Sequence, residues 1–154
     1  MRRLLRWLAL CFLGAPSFAP LHRQVAKALR TRCGVPLAPV PLLLCVSGGL
    51  DSVALLLLVQ RAAGPWRLHV VHFNHGLRPE AKEEEDFVAE LCGRLKVACT
   101  VRHGDVAVLK GSRLGLQAEA RRWRREEALK ILETLGSDGA ILLAHHADDQ
   151  AWDV

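Results

Sequence analysis

The sequence predicts an α/β fold, a parallel sheet with helices flanking it, and three observations carry that expectation. A short apolar run bounded by Pro and Gly at residues 42–46 has the form of a strand buried on both faces, and further strands are expected at 67–73, 97–102 and 140–144. Segments with helical spacing lie between them, at 52–61, 80–95 and 116–135. Strands alternating with helices imply parallel pairing through right-handed crossovers. Finally, the first run passes straight into a helix through a glycine turn, Ser47-Gly48-Gly49-Leu50-Asp51-Ser52, so residues 42–46 are expected in the middle of the sheet.

The elements follow in order. Residues 1–20 open with Met-Arg-Arg-Leu-Leu-Arg, continue as an apolar run and reach small residues near Ser17, a run too short to span a bilayer. An import peptide for a plastid or mitochondrion, a secretory signal and an ordinary amphipathic helix all share this layout. The absence of acids before Asp51 and the free cysteines favour the organellar address; without a transit peptide the expected location is cytoplasmic. The domain proper is expected over 21–154. It opens with a helix at 21–32, whose Leu21, Val25, Ala28 and Leu29 share a face, and Pro36, Pro39 and Pro41 end it. The 80–95 helix has acids in its first turn, matched to its dipole, and Phe87, Val88, Leu91 and Leu95 to bury. A long Arg/Glu-rich helix covers 116–135, and after the turn at 136–139 comes the fourth strand. No helix follows before Val154, so the domain is expected to be incomplete at its C-terminus.

With 154 residues, 51% of them hydrophobic, the chain has material for one core. Its net charge of +5 is poor evidence for a nucleic-acid partner: seven of the 21 basic residues precede Asp51, leaving 14 against 16 acids. Five cysteines in no CxxC pair read as free thiols that fill apolar space, not as a zinc ribbon or a disulfide scaffold.

Four segments carry candidate chemistry, each at the carboxyl end of an expected strand or on the long helix. In the first, Gly48 and Gly49 let the backbone approach a ligand, Ser47 and Ser52 add hydroxyls, and amides at a helix start form an anion site. Asp51 can hold Mg2+ bound to phosphates, and a plain glycine turn with an ordinary N-cap is the competing reading. In the second, His72-Phe73-Asn74-His75-Gly76-Leu77-Arg78, the histidines and Asn74 can hydrogen-bond and Arg78 can meet phosphate; a polar loop with Gly76 in a left-handed turn is the alternative. In the third, Arg121, Arg124 and Arg125 share a flank of the long helix and Trp123 is placed to stack on a base, unless Glu119, Glu126 and Glu127 simply neutralise the arginines. In the fourth, His145-His146-Ala147-Asp148-Asp149-Gln150, adjacent carboxylates repel unless a cation is near, which favours a Mg2+-linked role for Asp148.

The segment Ser47-Gly48-Gly49-Leu50-Asp51-Ser52 resembles the PP-loop of the ATP pyrophosphatase superfamily, whose members split ATP between its α and β phosphates. His-Phe-Asn-His-Gly-Leu-Arg at 72–78 resembles the matching segment of tRNA(Ile)-lysidine synthetases, as do the Arg-rich helix from Gly115 and the His-His-x-Asp-Asp segment at 145–149. Gln117 and Arg125 depart from that family's usual Glu and Tyr, and Trp152 and Asp153 stand where Glu and Thr are usual. The resemblance implies an adenine nucleotide alpha-hydrolase-like, Rossmann-like PP-loop domain. It implies a ligase that uses ATP and Mg2+ to adenylate the wobble cytidine of isoleucine tRNA and then attaches lysine, with no membrane. By resemblance Ser47, Gly48, Gly49, Asp51, Ser52, His72, Asn74 and His75 bind ATP; Asp51, His145, Asp148 and Asp149 act at the reacting end; Arg78, Arg121 and Arg124 bind nucleotide or tRNA; and Asp51 and Asp148 hold the metal. A tRNA thiolase of the same class and a catalytically inactive ATP-binding fragment are the alternatives.

Overall fold

Leu42, Leu43 and Leu44 are all buried, as an unbroken apolar run must be when layers cover both sides of its strand. In the computed structural model, which describes residues 19–31, 40–64, 67–77, 79–111, 115–136 and 138–144, these leucines open β1 (Leu42–Cys45). Three more strands complete a sheet: β2 (Leu68–Asn74), β3 (Ala98–His103) and β4 (Ala140–Leu142). All pair in parallel, in the order β3-β2-β1-β4. Strand β1 therefore lies inside the sheet, as its burial predicts, with Leu44 in register with Val70 on one side and Leu142 on the other.

Period-two alternation divides the side chains between two layers. Leu42, Leu44, Val46, Leu68 and Val70 meet α2 (Leu50–Ala63) and α3 (Ala81–Leu95), which bury Val53, Leu56 and Val59, and Val88, Leu91, Cys92 and Leu95. Leu43 and Val71 face the opposite way, onto Ala128, Ile131 and Leu132 of a long helix, α5 (Leu116–Leu135). The amphipathic α1 (Ala19–Thr31) packs on α2, with Val25 reaching the core.

The expected elements are present with three differences. The helix after the glycine turn begins at Leu50, two residues early, because Gly49 is its N-cap and the Ser52 hydroxyl bonds back to the Gly49 carbonyl at 2.9 Å. Strand β4 is shorter than its apolar run. A six-residue helix, α4 (Val106–Gly111), packs against α5; it is too short to display a period in sequence, and Asp105 starts it by accepting the Ala107 N–H at 2.8 Å. Residues 1–18, and with them nearly all of the expected targeting segment, lie outside the described residues, as do Arg78, His145, Asp148 and Asp149. Among the described residues no helix is long and apolar enough to cross a membrane.

Candidate functional site

The carboxyl ends of β1, β2 and β4 and the first half of α5 enclose a cleft of about 1150 Å3. Its floor is the turn after β1. There Gly48 adopts φ +89°, a conformation that disfavours any side chain, and a Cβ added to it would come into contact with Val88 and Glu84 of α3. The Ser47 and Ser52 hydroxyls are 3.2 Å apart, and the Gly49 N–H donates to the Ser47 oxygen at 3.3 Å. Helix α2 has no side-chain cap, so the competing reading of the turn, an Asp or Ser N-cap, does not hold. The first-turn amides of an uncapped helix, beside two hydroxyls and a glycine turn, suit phosphate oxygens. Ser47, Gly49 and Ser52 line the cleft, whereas Asp51 sits exposed in the first turn of α2 and Gly48 packs toward α3.

The second wall is the end of β2, where His72, Asn74 and His75 all line the cleft. His72 is buried with Nδ1 2.8 Å from the Val46 carbonyl; a carbonyl only accepts, so Nδ1 carries a proton. Gly76 takes the left-handed turn of the alternative, polar-loop reading, φ +64°, and its N–H donates to Asn74 Oδ1 at 2.8 Å. His75 is held below the usual histidine range by burial first, then by the charges of Arg124 and His72, and is therefore neutral at pH 7.

The third wall is α5. Arg121, Arg124 and Arg125 all face the cleft, while the intervening Arg122 turns away to Glu119 and Glu126, and Glu127 binds Lys130 and Arg102. The three acids are thus largely engaged elsewhere, and no carboxylate among the described residues pairs with Arg124. Burial and the neighbouring Arg121 charge pull the Arg124 guanidinium below its ordinary range, the condition of a cation awaiting an anion. Trp123 is not where base stacking needs it: its ring packs edge-on against Phe73, centroids 5.4 Å apart, and against His75, 5.2 Å apart. It packs against the end of β2 and the loop that follows.

Other lining residues were not foreseen. Cys45 faces the cleft beside Arg124, where burial pushes its thiol up to about 11, against the pull of Arg124. Cys92 and Cys99 belong to the core, as expected of apolar filler. Glu84 also lines the cleft; its position one turn before Val88, which faces the glycine turn, was the available signal. Leu129, Ile141 and Leu143 make the far side apolar. Among the described residues no group of three His, Cys, Asp or Glu side chains gathers as a metal site. Mg2+ that arrives on phosphates needs only one or two carboxylates; Glu84 lines the cleft beside the turn and can supply one, whereas Asp51, the carboxylate expected from the sequence, is exposed in the first turn of α2 and outside the cleft lining.

The PP-loop domain family matches residues 20–154. The chain is 40% identical over 130 residues to a tRNA(Ile)-lysidine synthase of Hydrogenovibrio crunogenus, a match covering 84% of this chain and 30% of that protein. It is 43% identical over 112 residues to a tRNA(Ile)-lysidine synthase of Thermus thermophilus, covering 72% of this chain and 22% of that one. The chain thus spans less than a third of the length of these curated relatives. Among solved structures, a U34-tRNA thiolase from Methanococcus maripaludis superposes with a TM-score of 0.67 at 14% identity, over 90% of this chain and 49% of that one. An NH3-dependent NAD synthetase from Campylobacter jejuni gives 0.61 at 16% identity, over 78% and 54%. At such identities the likeness is one of fold, and it is the α/β fold of adenine nucleotide alpha-hydrolase-like enzymes. With a family match over most of its length and the glycine turn at the carboxyl end of an interior parallel strand, the chain belongs to the PP-loop domain family.

Proposed function

We propose that this chain is the ATP-binding part of a tRNA(Ile)-lysidine synthetase. ATP adenylates the wobble cytidine of isoleucine tRNA with loss of pyrophosphate, and the amine of lysine then displaces AMP. The observation that carries this reading is the convergence, on one cleft, of the uncapped glycine turn, the His72–His75 rim and three arginines; the 40% and 43% identical relatives named for that activity support it. In this reading Ser47, Gly49 and Ser52 bind phosphates, and Gly48 allows the turn to form. Arg121 and Arg124 neutralise phosphate charge in a partly desolvated wall, where a cation is worth more than in water. Asp51 in the first turn of α2, with Glu84 of the cleft wall, would hold Mg2+, which would supply charge neutralisation to the phosphates. Arg78 extends the anion site, and His145, Asp148 and Asp149 act at the reacting base. The preceding residues 1–20 serve as an organellar import address, which a fusion of them to a fluorescent protein tests; retention in the cytosol counts against it.

Calorimetric titration of ATP into the chain, with and without Mg2+, tests the binding step. Binding is expected to require Mg2+ and to weaken about tenfold or more in Asp51→Ala, the scale of one charge-assisted contact. Lysine incorporation into isoleucine tRNA then tests the reaction. Absence of Mg2+-dependent ATP binding would falsify the reading at its base; ATP binding without lysidine formation would favour a nucleotide-binding fragment.

A further inference from the structure

At the β2 rim Asn74, which lines the cleft, joins a polar cluster whose other side chains, Glu85, Lys82 and His103, the proposed function does not use. The carboxylate of Glu85, on α3, is 12% exposed. Its Oε2 accepts from Asn74 Nδ2 at 2.7 Å and lies 2.8 Å from His103 Nε2 at the end of β3; its Oε1 accepts from Lys82 Nζ at 3.0 Å. Asn74 is buried, and its amide also donates to the Ala81 carbonyl at 3.3 Å. Its Oδ1 accepts the Gly76 N–H that closes the left-handed turn.

An ionised carboxylate can only accept hydrogen bonds, so Glu85 dictates which end of the Asn74 amide faces it. With Nδ2 held by Glu85 and Ala81, Oδ1 must point at Gly76. A flipped amide would set its oxygen against the carboxylate and its NH2 against the Gly76 N–H, two repulsive contacts in place of two bonds. Between the two residues of that turn sits His75, which lines the cleft and packs on Trp123.

We propose that Glu85 is a positioning residue: by fixing the Asn74 amide it holds the Gly76 turn, and with it His75, in place at the cleft. Lys82 and His103 keep the carboxylate ionised and aimed, from α3 and from β3. Glu85 itself touches no ligand. The effect on ATP rests on the reading of the cleft as a nucleotide site; the effect on the turn does not.

The test therefore has two readouts, amide hydrogen exchange of Gly76 in the ligand-free chain and the affinity for Mg2+-ATP. Glu85→Ala is expected to speed Gly76 exchange about tenfold or more, as loss of a charge-assisted hydrogen bond allows, while the Val46 amide, which bonds the Val71 carbonyl, stays protected. Affinity should fall about tenfold with it. Asn74→Asp, which faces two carboxylates at each other, should do the same. The double variant Asn74→Asp with Glu85→Gln restores a donor–acceptor pair between the two side chains but not the bond to the Ala81 carbonyl, so both readouts should recover part of what Asn74→Asp alone loses, by about threefold or more, which a merely space-filling role would not do. Unchanged Gly76 exchange in Glu85→Ala, or a double variant no better than Asn74→Asp, overturns the proposal. If Glu85→Ala fails to fold, the comparison of Asn74→Asp with the double variant decides. If the wild-type chain binds no ATP, the nucleotide reading fails while Gly76 exchange still decides the positioning role.

Discussion

Of the glycines whose surroundings are described, Gly139 leaves least room for a side chain, and replacing it with alanine is a quantitative test of how β4 is held against β1. A methyl group there would stand 2.5 Å from Leu132 Cδ1, 2.7 Å from the Pro41 carbonyl oxygen and 2.9 Å from Pro41 Cγ, where ordinary contact begins at 3.4 Å. The leucine tip can rotate away. The carbonyl cannot, because it accepts the Ala140 N–H at 3.0 Å, the bond that leads β4 into its pairing with β1. Relief must come from moving backbone, which costs about 1–3 kcal/mol for overpacking and about 1 kcal/mol for the weakened hydrogen bond. At roughly 2–4 °C per kcal/mol for a chain of this size, Gly139→Ala should lower Tm by about 5–15 °C. Gly93→Ala is the control: it lies inside α3 with nothing within 4 Å of a new methyl, so alanine should stabilise the helix by about 0.5–1 kcal/mol. Thermal unfolding followed by circular dichroism reads both. A Gly139→Ala chain that melts with the wild type, while Gly93→Ala melts higher, would refute the close approach of β4, and with it the placement of Ile141 and Leu143 in the cleft wall.

Two further outcomes follow from the charges. Glu85 is held down to about 2 from 4.5, by the Asn74 hydrogen bond first and then by Lys82 and His103. Because its folded value is depressed, it stabilises the fold fully above about pH 4.5 and loses that contribution as pH falls toward 2. The stability difference between wild type and Glu85→Gln in denaturant titrations should therefore shrink over this window, and a difference constant from pH 6 to the acid limit would count against it. Cys45, raised to about 11, should react with iodoacetamide slowly at pH 8 and faster as pH rises; Arg124→Ala should slow it further, since Arg124 favours the thiolate, and Mg2+-ATP should shield it. Fast labelling at pH 8 read by mass spectrometry would place the thiol outside the buried wall.

Local chemistry was legible from the sequence because it is written in consecutive residues. The buried leucines of β1, the left-handed Gly76 and the glycine turn entering α2 each follow from burial, backbone freedom or helix-end amides. The helical spacing of Arg121, Arg124 and Arg125 correctly put all three on one wall. What spacing could not decide was which carboxylates they would meet. Glu119 and Glu126 go to Arg122 because of their exact rotation about α5, and Glu127 reaches Arg102 across to β3. Trp123, expected to stack on a base, packs on Phe73 and His75 because β2 ends beneath it. Glu85 and Asn74 are eleven residues apart, and Asn74 and His103 belong to different strands, so their cluster exists only once β2, α3 and β3 are assembled. The order β3-β2-β1-β4 is likewise a tertiary choice: period and composition mark four strands, only the first of them as buried on both faces, but which neighbour β4 takes depends on how α5 crosses the sheet and on Gly139 having no side chain between Pro41 and Leu132. Short-range backbone and burial preferences thus name the elements and the turn that faces the ligand, while pairings between distant side chains are set by packing, which no stretch of sequence holds by itself.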